Sequence, residues 1–227
     1  MKIAVLGTGV VGQTIAAKLA ALGHNVIMGT RSPSETRART EAGPYGQPPF
    51  GVWLAQNPGI QLGSFPEAAH FGETVINATN GMGSLEALSQ AGEAHLNDKI
   101  LMDISNPLDF SHGMPPTLLV SNTDSLGEQI QRAYPGVKVV KTLNTLTASL
   151  MVNPGLVGKG DHTVFVSGND PEAKAQVCEW LAAWFGWKDI LDLGDITTAR
   201  GVEMYLPLWL RLWSATGTGM LNIKVVK

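Results

Sequence analysis

An α/β fold, with a doubly wound parallel sheet and a small C-terminal α+β lobe, is what this sequence predicts, and three observations predict it. Short apolar runs alternate with helical patterns along the first 150 residues, as in successive βαβ units. A glycine-rich turn, Gly7-Thr8-Gly9-Val10-Val11-Gly12, joins the first of these runs to the first helix. After Asn153-Pro154-Gly155 the pattern changes, which places a soft boundary near residue 150 between a domain of residues 1–150 and a lobe of residues 151–227.

The elements are predicted in order. Lys2 to Leu6 reads as the first strand, Val11 to Leu22 as the first helix and Asn25 to Gly29 as the second strand. Ser32-Pro33-Ser34-Glu35 carries the spacing of a capping box opening a short charged helix. Residues Gly43 to Gly59, rich in Gly, Pro and Gln with Tyr45, Phe50 and Trp53 embedded, read as an irregular insertion. Thr74 to Ala78, Lys99 to Asp103 and Val137 to Lys141 are short buried runs of the parallel-sheet type, for roughly six strands in all. In the lobe, a strand over His162 to Ser167 precedes a helix opened by Asp170-Pro171 and running to Phe185. A strand near Asp189 to Leu193 and a last helix over Thr198 to Trp213 follow, and the tail ends in a short β-like segment.

The chain has 227 residues, 15% of them charged, and a formal net charge of -3. No basic cluster suggests nucleic acid. Its single cysteine, Cys178, excludes an internal disulfide and a cysteine-based metal site, and suits a reducing compartment. The first apolar segment stops at Gly7, too short for a signal-peptide core, and no later run is long enough to span a bilayer, so a cytoplasmic protein without membrane contact is expected.

The glycine turn carries the chemistry. Following a strand and preceding an apolar helix, it reads as a dinucleotide fingerprint. Gly7 permits the tight turn, Gly9 lets backbone approach a pyrophosphate, and Gly12 lets helix and strand pack closely, with free helix N–H groups facing the phosphates. At the end of the second strand, where an NAD enzyme places a carboxylate against the ribose, this chain has Thr30-Arg31-Ser32. A guanidinium flanked by hydroxyls favours NADP over NAD. Ala78-Thr79-Asn80-Gly81, Ser105-Asn106-Pro107 and Thr142-Leu143-Asn144-Thr145 follow three later strands, where doubly wound sheets keep their ligands, though such residues are also ordinary turn formers.

The succession GTGVVG, GHNVIMGTR, SNPL, VVKTLNTLTASLM, ARGVEMYLPLWLRL and NIKVV resembles the NADP oxidoreductases that use the deazaflavin coenzyme F420. The nucleotide-binding part is also similar to the NADPH module of the STEAP metalloreductases. The resemblance implies a Rossmann-type domain, hydride transfer between NADP(H) and F420 or a flavin-like acceptor, a phosphate loop from Thr8 through Gly12 and 2′-phosphate contacts at Thr30 and Arg31. By their position after those later strands Ala78, Thr79, Asn80, Ser105, Asn106, Leu143 and Asn144 are expected in the cofactor site, suited to hydrogen-bonding ribose and carboxamide without adding charge, and a homodimer fits the resemblance. Some members carry a further basic residue four positions after the Arg, where this chain has Glu35, which leaves less positive charge there unless Arg37 or Arg39 turns inward.

Hydride transfer between two rings requires no acid or base, so no catalytic side chain is assigned. His24, His70, His95, His112 and His162 have no identifiable partner in the sequence and read as structural, and no His/Asp/Glu spacing indicates a metal. The apolar last helix reads as an acceptor-side wall, a dimer contact or simple core. Two alternatives stand beside the F420 reading. One is an NADPH-dependent reductase of a free flavin or metal chelate, and the other is a non-catalytic NADP(H)-binding redox sensor.

Overall fold

Strand β1 (Lys2–Leu6) buries Ile3, Ala4, Val5 and Leu6 completely, which requires cover on both faces. In this computed structural model, which describes residues 1–43 and 46–227, Ile3 and Val5 belong to one core cluster and Ala4 and Leu6 to the other, as the two-residue period of a strand dictates. The chain continues through α1 (Val10–Ala21), β2 (Asn25–Thr30), α2 (Pro33–Arg37), α3 (Phe50–Ala55), β3 (Ile60–Ser64), α4 (Phe65–Phe71) and β4 (Thr74–Asn77). Next come α5 (Ser84–Ala91), α6 (Glu93–Leu96), β5 (Ile100–Asp103) and a small antiparallel ribbon of β6 (Leu108–Asp109) and β7 (Thr117–Leu118). The remainder is α7 (Leu126–Ala133), β8 (Lys138–Thr142), α8 (Ala148–Val152), β9 (Thr163–Gly168), α9 (Pro171–Trp180), β10 (Asp189–Asp192), α10 (Ala199–Met204) and α11 (Leu206–Thr216).

The main sheet has eight strands in the order β10-β9-β8-β5-β4-β1-β2-β3. From β3 to β8 this is the doubly wound order, parallel throughout. The β1–β2–β3 half and the β4–β5–β8 half diverge between β1 and β4, opening a crevice at the carboxyl ends of the strands. Helices α1, α8 and α9 supply Ile15, Leu19, Leu150 and Val177 to one core, while α4, α5 and α7 supply Ala68, Leu88 and Ile130 to the other.

Several expectations need correction. The sheet has eight strands rather than six, because β3 lies in a region read as loose and β10 and β9 extend the same sheet. β9 runs antiparallel to β8, and the strands expected near His162–Ser167 and Asp189–Leu193 form as β9 and β10 on the edge of the main sheet. The tail forms no strand, though the Thr163 N–H donates to Ile223 O at 3.0 Å. The Gly43–Gly59 insertion contains α3, whose Phe50 is buried; Tyr45 lies outside the described residues. Ser32 precedes α2, but its side chain makes no cap, whereas a complete capping box occurs at Ser64 and Glu67. The last helix breaks at Tyr205 into α10 and α11, with Pro207 in the first turn of α11.

Candidate functional site

Gly7 sits at φ +109°, and a Cβ there would lie 2.5 Å from Ala78 O. A Cβ on Gly12 would lie 2.2 Å from Gly7 O, so a side chain at either position breaks the turn. Gly9 differs: a Cβ there would meet no protein atom within 4 Å, so its bareness serves no packing inside the chain. Gly9 is also the N-cap of α1 and offers no side-chain cap, which leaves the first N–H groups of that helix available to an anion. The Gln13 amide donates to Thr8 O at 2.9 Å and steadies the turn. Val10 and Val11 follow as the first two residues of the helix.

A cavity of about 180 Å³ opens beside this turn, lined by Thr8, Gly9, Val10, Gln13, Arg39, Glu41 and Phe50 among others. Across the end of β2, Thr30 is buried and its hydroxyl is bonded to that of Thr36 at 2.8 Å, so this side chain braces α2, while Arg31 and Ser32 follow it toward solvent. Arg31 is 71% exposed and lies 3.7 Å from Glu86 on α5.

A second cavity, about 190 Å³, occupies the crevice where the two halves of the sheet diverge. Its walls are Val11, Ala78, Thr79, Asn80, Gly81, Ile104, Ser105, Asn106, Leu108 and Phe110, and they carry no ionisable side chain. The close fit behind it depends on Gly81, where a Cβ would lie 1.9 Å from Asn106 O. Most polar groups here are already committed: Thr79 Oγ1 lies 2.6 Å from Asn77 Oδ1, Ser105 Oγ donates to Asp103 Oδ1 at 2.6 Å, and Asn80 Oδ1 accepts from the Met82 N–H. Asn106 and Asn144 bond each other twice, amide to carbonyl O at 2.8 Å and amide to amide at 3.0 Å. Leu143, held at φ +60°, and Asn144 are both buried; they stand behind this cavity and do not line it.

Beneath Ser105 lies a charge network with no access to solvent. Lys141 Nζ donates to Asp103 Oδ2 at 2.8 Å and to Ser105 O at 2.6 Å, and it pairs with Glu203 Oε1 at 2.8 Å. Glu203 in turn accepts the Leu126 and Gly127 N–H groups at 2.8 and 3.0 Å, so the positive end of α7 helps balance the second carboxylate. Burial alone would depress the Lys141 ammonium, but Asp103 and Glu203 outweigh it and hold the pKa above the usual lysine value.

Sequence reasoning missed Lys141 and Glu203, and also Leu108 and Phe110, which the ribbon β6–β7 presents to the cavity. A lysine at a strand end and a glutamate in an apolar helix are the only traces of the network in the sequence, and they show it only once a buried position is assigned to both. Aromatics of α11, Trp209 and Trp213, line a third cavity of about 460 Å³ together with Val10, Thr14, Thr147 and Met220. His162 is bonded to Pro154 O and Asn222, while His24 packs edge-on against Trp184, so these two rings are occupied in packing.

Residues 2–107 match the family described as NADP oxidoreductase, coenzyme F420-dependent. A crystal structure of a protein from Arthrobacter sp. FB24, assigned as an F420-dependent NADP-reductase, is 59% identical, with both chains covered in full and a TM-score of 0.96. Metalloreductase STEAP3 of Rattus norvegicus is 28% identical over 213 residues, which is 92% of this chain and 38% of that one. This chain therefore spans well under half of the STEAP3 length. An imine reductase from Aspergillus terreus shares the fold at 16% identity, with a TM-score of 0.63 over 95% of this chain and 63% of that one. With more than half of its residues identical to one member along its entire length, and with the fingerprint region matched, the chain belongs to the family of coenzyme F420-dependent NADP oxidoreductases and is an NADP-dependent oxidoreductase.

Proposed function

We propose that this protein passes hydride between NADP(H) and a deazaflavin, F420. One observation carries the reading: the crevice cavity is walled by amides, hydroxyls and apolar groups without a single ionisable side chain. Such a site suits a reaction whose only requirements are ring alignment and exclusion of water, with reacting carbons about 3–3.5 Å apart. NADPH supplies the hydride when bound.

The residues divide the work. Gly7 through Gly12 receive the pyrophosphate, with the uncapped start of α1 meeting its charge. Arg31 pairs with the 2′-phosphate, and Thr30 fixes the direction of α2 behind it. Ala78, Thr79, Asn80, Ser105 and Asn106 surround the nicotinamide, while Asn144 holds Asn106 in place and the buried Leu143 precedes it at the end of β8. Residues 151–227 form the acceptor side. A second copy of this chain covers the apolar side chains that α10 and α11 leave exposed, Met204 and Leu208, to give a homodimer. The single thiol, Cys178, is free, as a reducing cytoplasm would keep it.

The test is loss of reduced-nicotinamide absorbance with F420, with FMN and with a ferric chelate as acceptors, and with NADH as control donor. Turnover with F420 and NADPH supports the reading. Turnover only with the chelate or FMN shifts the assignment toward the chemistry named in the STEAP3 relative. NADPH binding in calorimetry without turnover by any acceptor favours a redox sensor. Sedimentation at micromolar concentration tests the dimer, which a monomer at all concentrations would refute.

A further inference from the structure

We propose that Arg39, which lies beyond α2 and outside the fingerprint, is a specificity-determining residue that supplies the second positive charge of the 2′-phosphate site; this rests on the NADP(H) reading above. Three observations lead there. First, Arg39 Nη1 donates to Thr8 Oγ1 at 3.3 Å, so the guanidinium reaches back over 31 residues to the glycine turn and lines the cavity beside it. Second, the chain that presents it is pinned. Thr36 is buried against Thr30, and Gly51 of α3 packs so closely on Arg37 O that a Cβ there would lie 2.4 Å from it. The turn after α2 is thereby fixed on both sides, and it directs Arg39 toward Thr8. Third, Arg31 already has a competing carboxylate, Glu86, at 3.7 Å, whereas among the described residues Arg39 takes part in no ion pair.

A phosphate monoester carries close to two negative charges at neutral pH. One guanidinium shared with Glu86 matches it poorly. Two guanidinium groups, Arg31 from the end of β2 and Arg39 from across the turn, match it in charge and in donor number. Glu41 lines the same cavity and opposes a free anion there, which makes a pure bulk-charge role for Arg39 insufficient and a directed contact necessary. Thr8 then acts as the resting partner that keeps the side chain aimed before the nucleotide arrives.

The experiment separates the 2′-phosphate from the pyrophosphate by calorimetry, with no acceptor and no turnover. Adenosine 2′,5′-bisphosphate carries the first and lacks the second, and ADP has the reverse. Arg39→Ala is expected to weaken the bisphosphate about tenfold while leaving ADP within about twofold, and Arg37→Ala, a change at an exposed neighbour, is expected to alter neither. Equal losses for both ligands would move Arg39 onto the pyrophosphate and overturn the proposal, as would unchanged binding of the bisphosphate. Wild-type protein that binds neither ligand would overturn the NADP(H) reading itself and this proposal with it, a result distinguishable because it precedes any substitution. Melting curves for both variants confirm that each remains folded.

Discussion

At the glycine turn the protein offers backbone: a bare Gly9 with open space beside it, uncapped N–H groups at the start of α1, and mobile-length guanidinium groups at the rim. At the ends of β5 and β8 it offers side chains that have already bonded one another, Ser105 to Asp103, Asn106 to Asn144, and Lys141 to both Asp103 and Glu203. The difference teaches where affinity and where shape reside. Gly9 and the first N–H groups of α1 have no packing duty inside the chain and are open to an anion; groups at the second end hold the walls of the crevice and cannot be altered without disturbing the fold.

The sharpest way to break this contrast is Lys141→Met. It strands two buried carboxylates and is expected to cost about 3–5 kcal/mol of stability, read by denaturant unfolding; a loss under about 1 kcal/mol would mean the ring end is not held by its charge network. The sign of the pH dependence follows from the raised lysine pKa. The contribution is complete below the normal lysine value and is lost only as pH rises through the elevated one, so unfolding curves of wild type should show no loss from this group across the neutral range.

Next is the pair Gly12→Ala and Gly9→Val. The first forces a Cβ against Gly7 O and should lower both melting temperature and NADPH affinity. The second meets no protein atom at its Cβ, so it should leave stability within about 0.5 kcal/mol while weakening NADPH more than about tenfold. Loss of stability at Gly9 would erase the distinction between the ends.

Arg31→Glu should raise the KM for NADPH by about tenfold and leave that for NADH nearly unchanged; equal losses would remove Arg31 from the phosphate site. The smallest effect is expected from Glu86→Gln. Removing the competing carboxylate should tighten NADPH by about twofold at low ionic strength, and the gain should fade as salt is added.

The frame of the fold was legible because its central strands are four- to six-residue segments with apolar centres bounded by turns, and because the glycine turn ties the first of them to a helix. Strand β3 was not, since at the sheet edge Ile60-Gln61-Leu62 alternates over only three residues before Gly63-Ser64 and offers no continuous apolar run. The capping-box spacing at Ser32 misled because that side chain lies 3.4 Å from the Ser34 hydroxyl instead of meeting a helix N–H. The glycine turn and Arg31 could be read locally. The buried partnership of Lys141 with Glu203, 62 residues apart, and the reach of Arg39 to Thr8 depend on how distant segments pack, which no local pattern records.

The antiparallel joint of the main sheet, β8 against β9, bears on how this chain could be divided. Cutting near residue 150 would strip β9 from β8 and bare a row of unpaired backbone donors and acceptors along a strand whose Val139 and Val140 are fully apolar. An exposed edge of that kind recruits other strands. A truncated nucleotide-binding half would therefore tend to self-associate, and engineers seeking a portable NADP(H) module should carry β9 along with it.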